Sequence, residues 1–256
     1  MANLLTLKAT LLYTRPPVWR RLVLPDALTF WELHFALQIT FGWENAHLFE
    51  FRTGRGSIND FLTGTPPVQP GEADDLPEWW RDPRQVPVGE LLRAPKDKIS
   101  YVYDMGDNWE HQLVVEKIQP LPADEPLPPV RCPDGRRAGP PEDIGSIPGY
   151  EMLLAALAEK AAGTRKRMPS HFAGLGKYDP DNAELAVVNE NLLDLPAIVA
   201  EENAFIEEYR QQLAARPQPT RHRPTPDELL KLMASMPLPP VAQPTSAPKK
   251  KPEKPG

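Results

Sequence analysis

The chain has 256 residues and a formal net charge of −6 at pH 7, with 41% hydrophobic and 25% charged residues. This length supports one sizeable core with at most a small appendage. The negative charge argues against a protein that coats nucleic acid, although a local basic patch would still permit such binding. The single cysteine, Cys132, excludes a disulfide framework within the chain. With neither a signal peptide nor a run of about 18 apolar residues, we expect a cytoplasmic protein outside the membrane.

The first elements predicted along the chain are a hairpin and a helix. Residues 4–13 and 19–24 each have strand character and would pair with each other. Thr29 and Glu32 have the three-residue spacing of a capping box, which predicts the start of a helix. Gly42 then has the position of a glycine that ends a helix.

A third strand is predicted at residues 47–52, and the pattern then dissolves. Residues 53–97 are rich in Gly, Pro and acidic side chains, and a connection of this length is usually functional or mobile. We expect this irregular excursion to be attached to the domain by Trp79-Trp80 and by a short apolar turn at residues 88–92.

A second hairpin is predicted at residues 98–104 and 109–118. The residues between them, Met105-Gly106-Asp107-Asn108, are those that favour tight turns. Gly106 is the residue of this turn that we expect to adopt positive φ.

Helices dominate the remainder of the chain. They are predicted at residues 150–162, at 179–193 with Asp179 as N-cap, at 196–214 and, with a second capping-box start at Thr225, at 225–236. Residues 237–256 are rich in Pro and Lys and are predicted to be disordered. The sequence thus predicts an α+β domain over residues 1–195, a helical extension over 196–236 and a tail. The α+β domain would contain a small mixed, mostly antiparallel sheet packed on helices.

Four segments of the chain resemble the plasmid pRiA4b ORF-3-like family. They are residues 17–21 (PVWRR), 41–43 (FGW) with 47–51 (HLFEF), 101–111 (YVYDMGDNWEH), and 140–145 (PPEDIG) with Gly149-Tyr150. The resemblance implies a bacterial or archaeal α+β domain, and the label TnpR-like passenger of some members implies a link to mobile elements. It implies no reaction. A serine recombinase needs a nucleophilic serine near its N-terminus, and the first serine of this chain is Ser57.

Seven side chains form a candidate functional cluster around the predicted turn and the PPEDIG segment. They are His47, Asp104, Asp107, Glu110, His111, Glu142 and Asp143. Carboxylates and imidazoles bind divalent metals and perform general acid–base chemistry. The same residue types favour structural roles, as turn acceptors, helix caps or histidines at the edge of the core.

A second candidate set combines aromatic and basic residues: Trp19, Arg20, Arg21, Trp43 and Trp109. Exposed aromatic rings beside basic side chains would offer a stacking platform for nucleic-acid bases. The alternative is that the tryptophans belong to the core.

Two functions follow from these observations. The first is a non-catalytic binding module, without a cofactor, that recognises an unknown protein partner through its long loops and helical extension. The second is a metal-dependent hydrolase acting on nucleic acid, with a divalent metal held by the candidate cluster. An enzyme would require these side chains to converge in one cleft, whereas a binding module would let them diverge.

Overall fold

The centre of the protein is a seven-stranded sheet in which every paired strand is antiparallel, in the order β4-β3-β5-β6-β1-β2-β7. The computed structural model describes residues 2–53, 62–64, 66, 79–122 and 125–215. The strands are β1 (Asn3–Leu11), β2 (Val18–Pro25), β3 (Phe49–Arg52), β4 (Leu62–Gly64), β5 (Lys98–Tyr103), β6 (Trp109–Pro120) and β7 (Arg131–Arg136). The α+β class is confirmed, and the sheet, predicted to be mostly antiparallel, is antiparallel in every described pairing.

Four α-helices accompany this sheet. They are α1 (Phe30–Phe41), α2 (Ser146–Ala161), α3 (Leu185–Asn191) and α4 (Leu195–Ala215). Short 3₁₀ turns lie at Val88–Glu90, Ser170–Leu175 and Leu192–Asp194. The helix predicted near residue 225 and the predicted disordered tail lie outside the described residues.

Helix α1 lies on the inner face of the sheet and is buried on nearly all sides. Its neighbours include α4, whose Leu195, Val199 and Ile206 join the same core. The long excursion contributes through Val86 and Val88, which are also buried there. No helix of the described residues is both long and apolar enough to cross a membrane.

The start of α1 is the capping box that the sequence predicts. The Thr29 hydroxyl accepts from the Glu32 amide at 3.2 Å, and the Glu32 carboxylate accepts from the Thr29 amide at 2.7 Å. At the other end, Gly42 has φ 78° and closes the helix in the left-handed conformation. Both predicted ends of α1 are therefore confirmed.

Replacing the capping side chain should destabilise the fold by a modest amount. Thr29→Ala leaves the Glu32 amide without its acceptor, and loss of such a cap costs about 1 kcal/mol. Urea unfolding would measure this loss, with Thr29→Ser as the matched control because it retains the oxygen. Equal losses in the two variants would contradict a capping role for the hydroxyl.

The predicted β5–β6 hairpin is confirmed, but its turn uses different residues in the left-handed region. Positive φ falls on Asp104 (58°) and Asn108 (55°), and the prediction for Gly106 is wrong. Asp and Asn adopt this conformation more readily than other non-glycine residues because their short side chains hydrogen-bond locally. Glycine is still suited to position 106, because a Cβ there would lie 3.1 Å from Asp104 Oδ1.

Two features of the C-terminal half differ from the sequence prediction. Strand β7 was missed because it contains Pro133 and Gly135; it lies at the edge of the sheet, where proline is tolerated. The helix predicted from Asp179 begins only at Leu185. The Asp179 side chain instead accepts from the Asp181 amide at 3.0 Å and closes a turn.

Candidate functional site

Three loops bring one histidine and two aspartates together at the edge of the domain. His47 lies just before β3, Asp104 lies in the β5–β6 turn, and Asp143 lies in the loop before α2. His47 Nε2 is 3.0 Å from Asp143 Oδ1 and 3.7 Å from Asp104 Oδ2. The three ligand atoms all lie within 4.8 Å of one another. We call these three residues the His47 cluster.

Asp104 is the buried member of the His47 cluster, with 6% of its surface exposed. Its Oδ1 accepts from the Gly106 amide at 2.8 Å and from the Asp107 amide at 3.2 Å. Its own amide donates to Leu48 O at 2.9 Å, which ties the turn to the segment that carries His47. The turn therefore fixes one carboxylate oxygen and leaves Oδ2 beside the imidazole.

Asp143 is the exposed member, and the loop that carries it is hydrogen-bonded to the β5–β6 turn. Asp107 Oδ2 accepts from the Gly145 amide at 3.0 Å, so Asp107 positions this loop and is not a third carboxylate of the cluster. Asp143 itself has φ 53°. Helix α2 has Gly145 as its N-cap and no side-chain cap, so neither Glu142 nor Asp143 has the capping role considered from the sequence.

Glu142 lies beside the cluster in a hydrogen-bonded pair with Tyr103. The Tyr103 hydroxyl donates a short hydrogen bond to Glu142 Oε1 and accepts from the Ala46 amide at 3.1 Å. Burial and the Glu142 carboxylate raise the pKa of Tyr103 well above its ordinary value, so the phenol keeps its proton. The Glu142 carboxylate is thereby held by Tyr103, whose ring centroid lies 5.9 Å from that of His47.

Glu110 and His111 lie apart from the His47 cluster. Successive strand residues face opposite sides of the sheet, so the two side chains diverge. Glu110 lies on the outer face, where the Tyr13 hydroxyl is 3.4 Å from its Oε2. His111 is completely buried against Phe41 and Trp43. Burial lowers its pKa to about 3, so it is a neutral core histidine.

A second buried histidine, His34, was not selected from the sequence. Its Nδ1 lies 2.8 Å from the Tyr101 hydroxyl and its Nε2 lies 2.7 Å from Asn45 Oδ1. Gln38, one turn later on α1, donates to Tyr101 and accepts from the Asn45 amide. Burial lowers the pKa of His34 to about 3. The available signal was the pair of polar residues at spacing i, i+4 on a largely apolar helix.

Most members of the predicted aromatic and basic set lie in the interior. Trp43 and Trp109 are 6% and 1% exposed, and the Trp43 indole donates to Pro140 O at 3.0 Å. Arg20 is 2% exposed, and its Nε donates to Thr40 O at 2.5 Å. These three side chains cannot form a stacking platform for bases.

Trp19 and Arg21 remain on the outer face of the sheet, but neighbouring carboxylates neutralise the charge of Arg21. The Arg21 guanidinium lies 5.1 Å from the Trp19 ring and forms ion pairs with Glu116 and Asp134. These hydrogen bonds and charges, led by Glu116, raise the pKa of Arg21 above its ordinary value. The pair therefore belongs to a charge-balanced surface.

Comparison with known proteins identifies a family that covers most of the chain. The family model described as plasmid pRiA4b ORF-3-like protein matches residues 3–187. The chain belongs to this family. It is 33% identical over 202 residues to the uncharacterized protein y4hQ of Sinorhizobium fredii (strain NBRC 101917 / NGR234), covering 77% of this chain and 94% of that protein.

A crystal structure of another protein supports the fold of this chain. The protein of unknown function MM3350 from Methanosarcina mazei Go1 matches with a TM-score of 0.57 and 27% identity, over 73% of this chain and 97% of the other. The family match includes all three residues of the His47 cluster. These relatives carry no described activity, so they establish the family and the fold alone.

Proposed function

We propose that this protein is a binding module that holds a divalent cation at the His47 cluster and uses it to take an anionic oxygen ligand from a protein partner. The observation that carries the proposal is the approach of one imidazole nitrogen and two carboxylate oxygens to within 4.8 Å of one another. Imidazole with carboxylates suits Mn²⁺, Fe²⁺ or Zn²⁺. Ligands about 2.1 Å from such an ion lie about 3 Å apart when adjacent, close to the 3.0 and 3.7 Å observed.

The exposure of the cluster supports binding of an external ligand, because one side of a bound ion would face solvent. The Asp143 side chain is 75% exposed and the His47 side chain is 30% exposed, whereas Asp104 closes the inner side. Three protein ligands leave at least one coordination position for water or an external group. An oxygen ligand from a partner would occupy that position.

A cavity beside the cluster supports recognition of a partner. It has a volume of about 420 Å³ and lies between the start of β3 and helix α4. Its walls include His47 itself, Trp31, Phe49 and the largely exposed Phe205. An apolar surface next to a metal site would stabilise a bound partner by burying apolar area, while coordination to the ion would fix the orientation of the partner.

Metal binding by matched variants tests the first part of this proposal. Asp104→Asn keeps an oxygen for the Gly106 and Asp107 amides but removes the charge, and His47→Gln removes the nitrogen ligand. Wild-type protein should bind about one equivalent of Mn²⁺ or Zn²⁺ in calorimetry, and each variant should bind at least about tenfold more weakly. Glu110→Gln on the outer face is the control and should bind like wild type. Absence of saturable binding to wild type would refute the proposal.

A metal-dependent hydrolase is the second candidate, and Glu142 is the observation that favours it. Glu142 directly precedes Asp143 in the chain, and its carboxylate could accept a proton from water on the ion, as hydrolytic metal sites require. Nucleic acid as substrate has less support, because Arg20 is buried and Arg21 is paired with Glu116 and Asp134.

Turnover of simple esters separates the two candidates. A hydrolase should cleave bis(p-nitrophenyl) phosphate or p-nitrophenyl acetate only with the metal added. Glu142→Gln should then abolish cleavage while retaining metal stoichiometry. The binding module predicts metal uptake without turnover in either protein.

A further inference from the structure

A groove beside the first residues of the PPEDIG loop is separate from the His47 cluster and is lined by a buried arginine. It has a volume of about 410 Å³ and lies between the end of α1, the loop after β7 and the segment that leads into α3. We call it the Arg20 groove. Its walls include Arg20, Phe41, Pro140, Lys177, Tyr178 and Val187. No residue of the His47 cluster lines it.

Arg20 is a buried cation without a buried anion to match it. Among the described residues no Asp or Glu oxygen lies within the 4.0 Å of an ion pair. Its nearest titratable neighbours include Cys132 and Tyr178, and burial raises the pKa of both, so they are neutral at pH 7. Burial of an unpaired charge is costly, and an external anion would reduce that cost.

The hydrogen bonds of Arg20 leave one side of the guanidinium unused. Nε donates to Thr40 O at 2.5 Å, and Nη1 donates to Trp19 O at 2.9 Å and to Arg137 O at 2.7 Å. Nη2 has no partner within the described part of the chain. Because Arg20 is a wall of the groove, this unused donor is available to a ligand there.

The rest of the lining limits the charge and the shape of that ligand. Lys177 is exposed and has no ion pair among the residues described, so it supplies a second positive charge. Asp179 and Glu184 also line the groove and repel anions, a dianion about twice as strongly as a monoanion. Val187 and Val188 form an apolar wall. The lining therefore favours a single negative charge attached to an apolar body.

We propose that the Arg20 groove binds a small organic monocarboxylate. The carboxylate would accept from Arg20 Nη2 and Lys177, and the apolar body would contact Val187 and Val188. The volume of the groove lies within the range of about 300–1,000 Å³ typical of small-molecule sites. This second site is independent of the cation that we propose at the His47 cluster.

Titration of the ¹⁵N-labelled full chain with benzoate and with hexanoate tests this proposal. Binding should be saturable and should shift the amide resonances of groove residues, among them Gly42, Gly139 and Ala183. Inorganic phosphate should bind at least tenfold more weakly than benzoate. Phosphate binding as tight as benzoate would overturn it, as would the absence of saturable binding up to about 10 mM of either carboxylate.

Variants of groove residues other than Arg20 test whether the carboxylate binds in this groove. Arg20 itself is kept, because its loss would leave buried carbonyls without donors. Lys177→Gln should weaken benzoate binding about two- to fivefold, as expected for one exposed charge. Val187→Glu places a carboxylate at the rim and should weaken it more than tenfold. Lys166→Gln, an exposed lysine outside the groove, should bind like wild type. Unchanged binding in both groove variants would overturn the assignment.

Discussion

The free energy of unfolding should fall steeply as the pH is lowered from about 6.5 toward 3. His34 and His111 are both buried, and burial lowers the pKa of each to about 3. Histidine in the unfolded chain binds a proton near pH 6.5. Between these values the unfolded state holds more protons than the folded state, so stability increases with pH. Each histidine should contribute about 1.4 kcal/mol per pH unit within this window.

Urea unfolding at pH 7, 6, 5 and 4 measures this slope. His111→Leu should remove about half of this slope, because it removes one of the two buried histidines. The variant should still fold, because Leu fills a similar volume and the imidazole Nε2 has no hydrogen-bond partner to lose. His171→Gln changes an exposed histidine and serves as the matched control. An unchanged slope in His111→Leu would show that His111 is not held neutral in the folded protein.

Gly139→Ala should be among the most damaging single methyl additions near the site. A Cβ at this position would lie 2.0 Å from Phe41 O and 2.9 Å from Phe41 C, which are backbone atoms at the end of α1. Neither atom can move without displacing the helix end or the loop. We expect a loss of about 3 kcal/mol or more, which corresponds to a fall in Tm of roughly 6–12 °C.

Gly174→Ala is the control for this substitution. No atom lies within 4 Å of a Cβ at position 174, and the backbone there is not in the left-handed region. Its Tm should stay close to that of wild type. Equal Tm values for the two variants would contradict the close approach of the 138–141 loop to α1. Gly139→Ala should also weaken metal binding, because the same loop leads to Asp143.

Local interactions explain the parts of the fold that could be predicted from sequence. The capping box at Thr29, the glycine that ends α1 and the tight turn after β5 each involve residues a few positions apart. Such signals do not depend on the rest of the chain. The β5–β6 hairpin was predicted for the same reason, because alternation and turn chemistry lie within one short segment.

The candidate site could be predicted only in part, because its members come from distant segments. His47 and Asp104 were selected as residue types, but only the pairing of β3 with β5 brings their segments together. Asp143 is added by the loop that Asp107 holds through Gly145. His111 was assigned to the same cluster because it is close in sequence, whereas strand alternation turns it into the core.

The sequence by itself determined the α+β class, the ends of α1, the second hairpin and the chemical types available for a site. Only the tertiary structure decided which of those side chains meet. It selected His47, Asp104 and Asp143, and it buried Arg20 with no carboxylate partner among the residues described. The physical reason is that short-range hydrogen bonds and alternation specify elements, whereas strand order and loop packing specify which elements become neighbours.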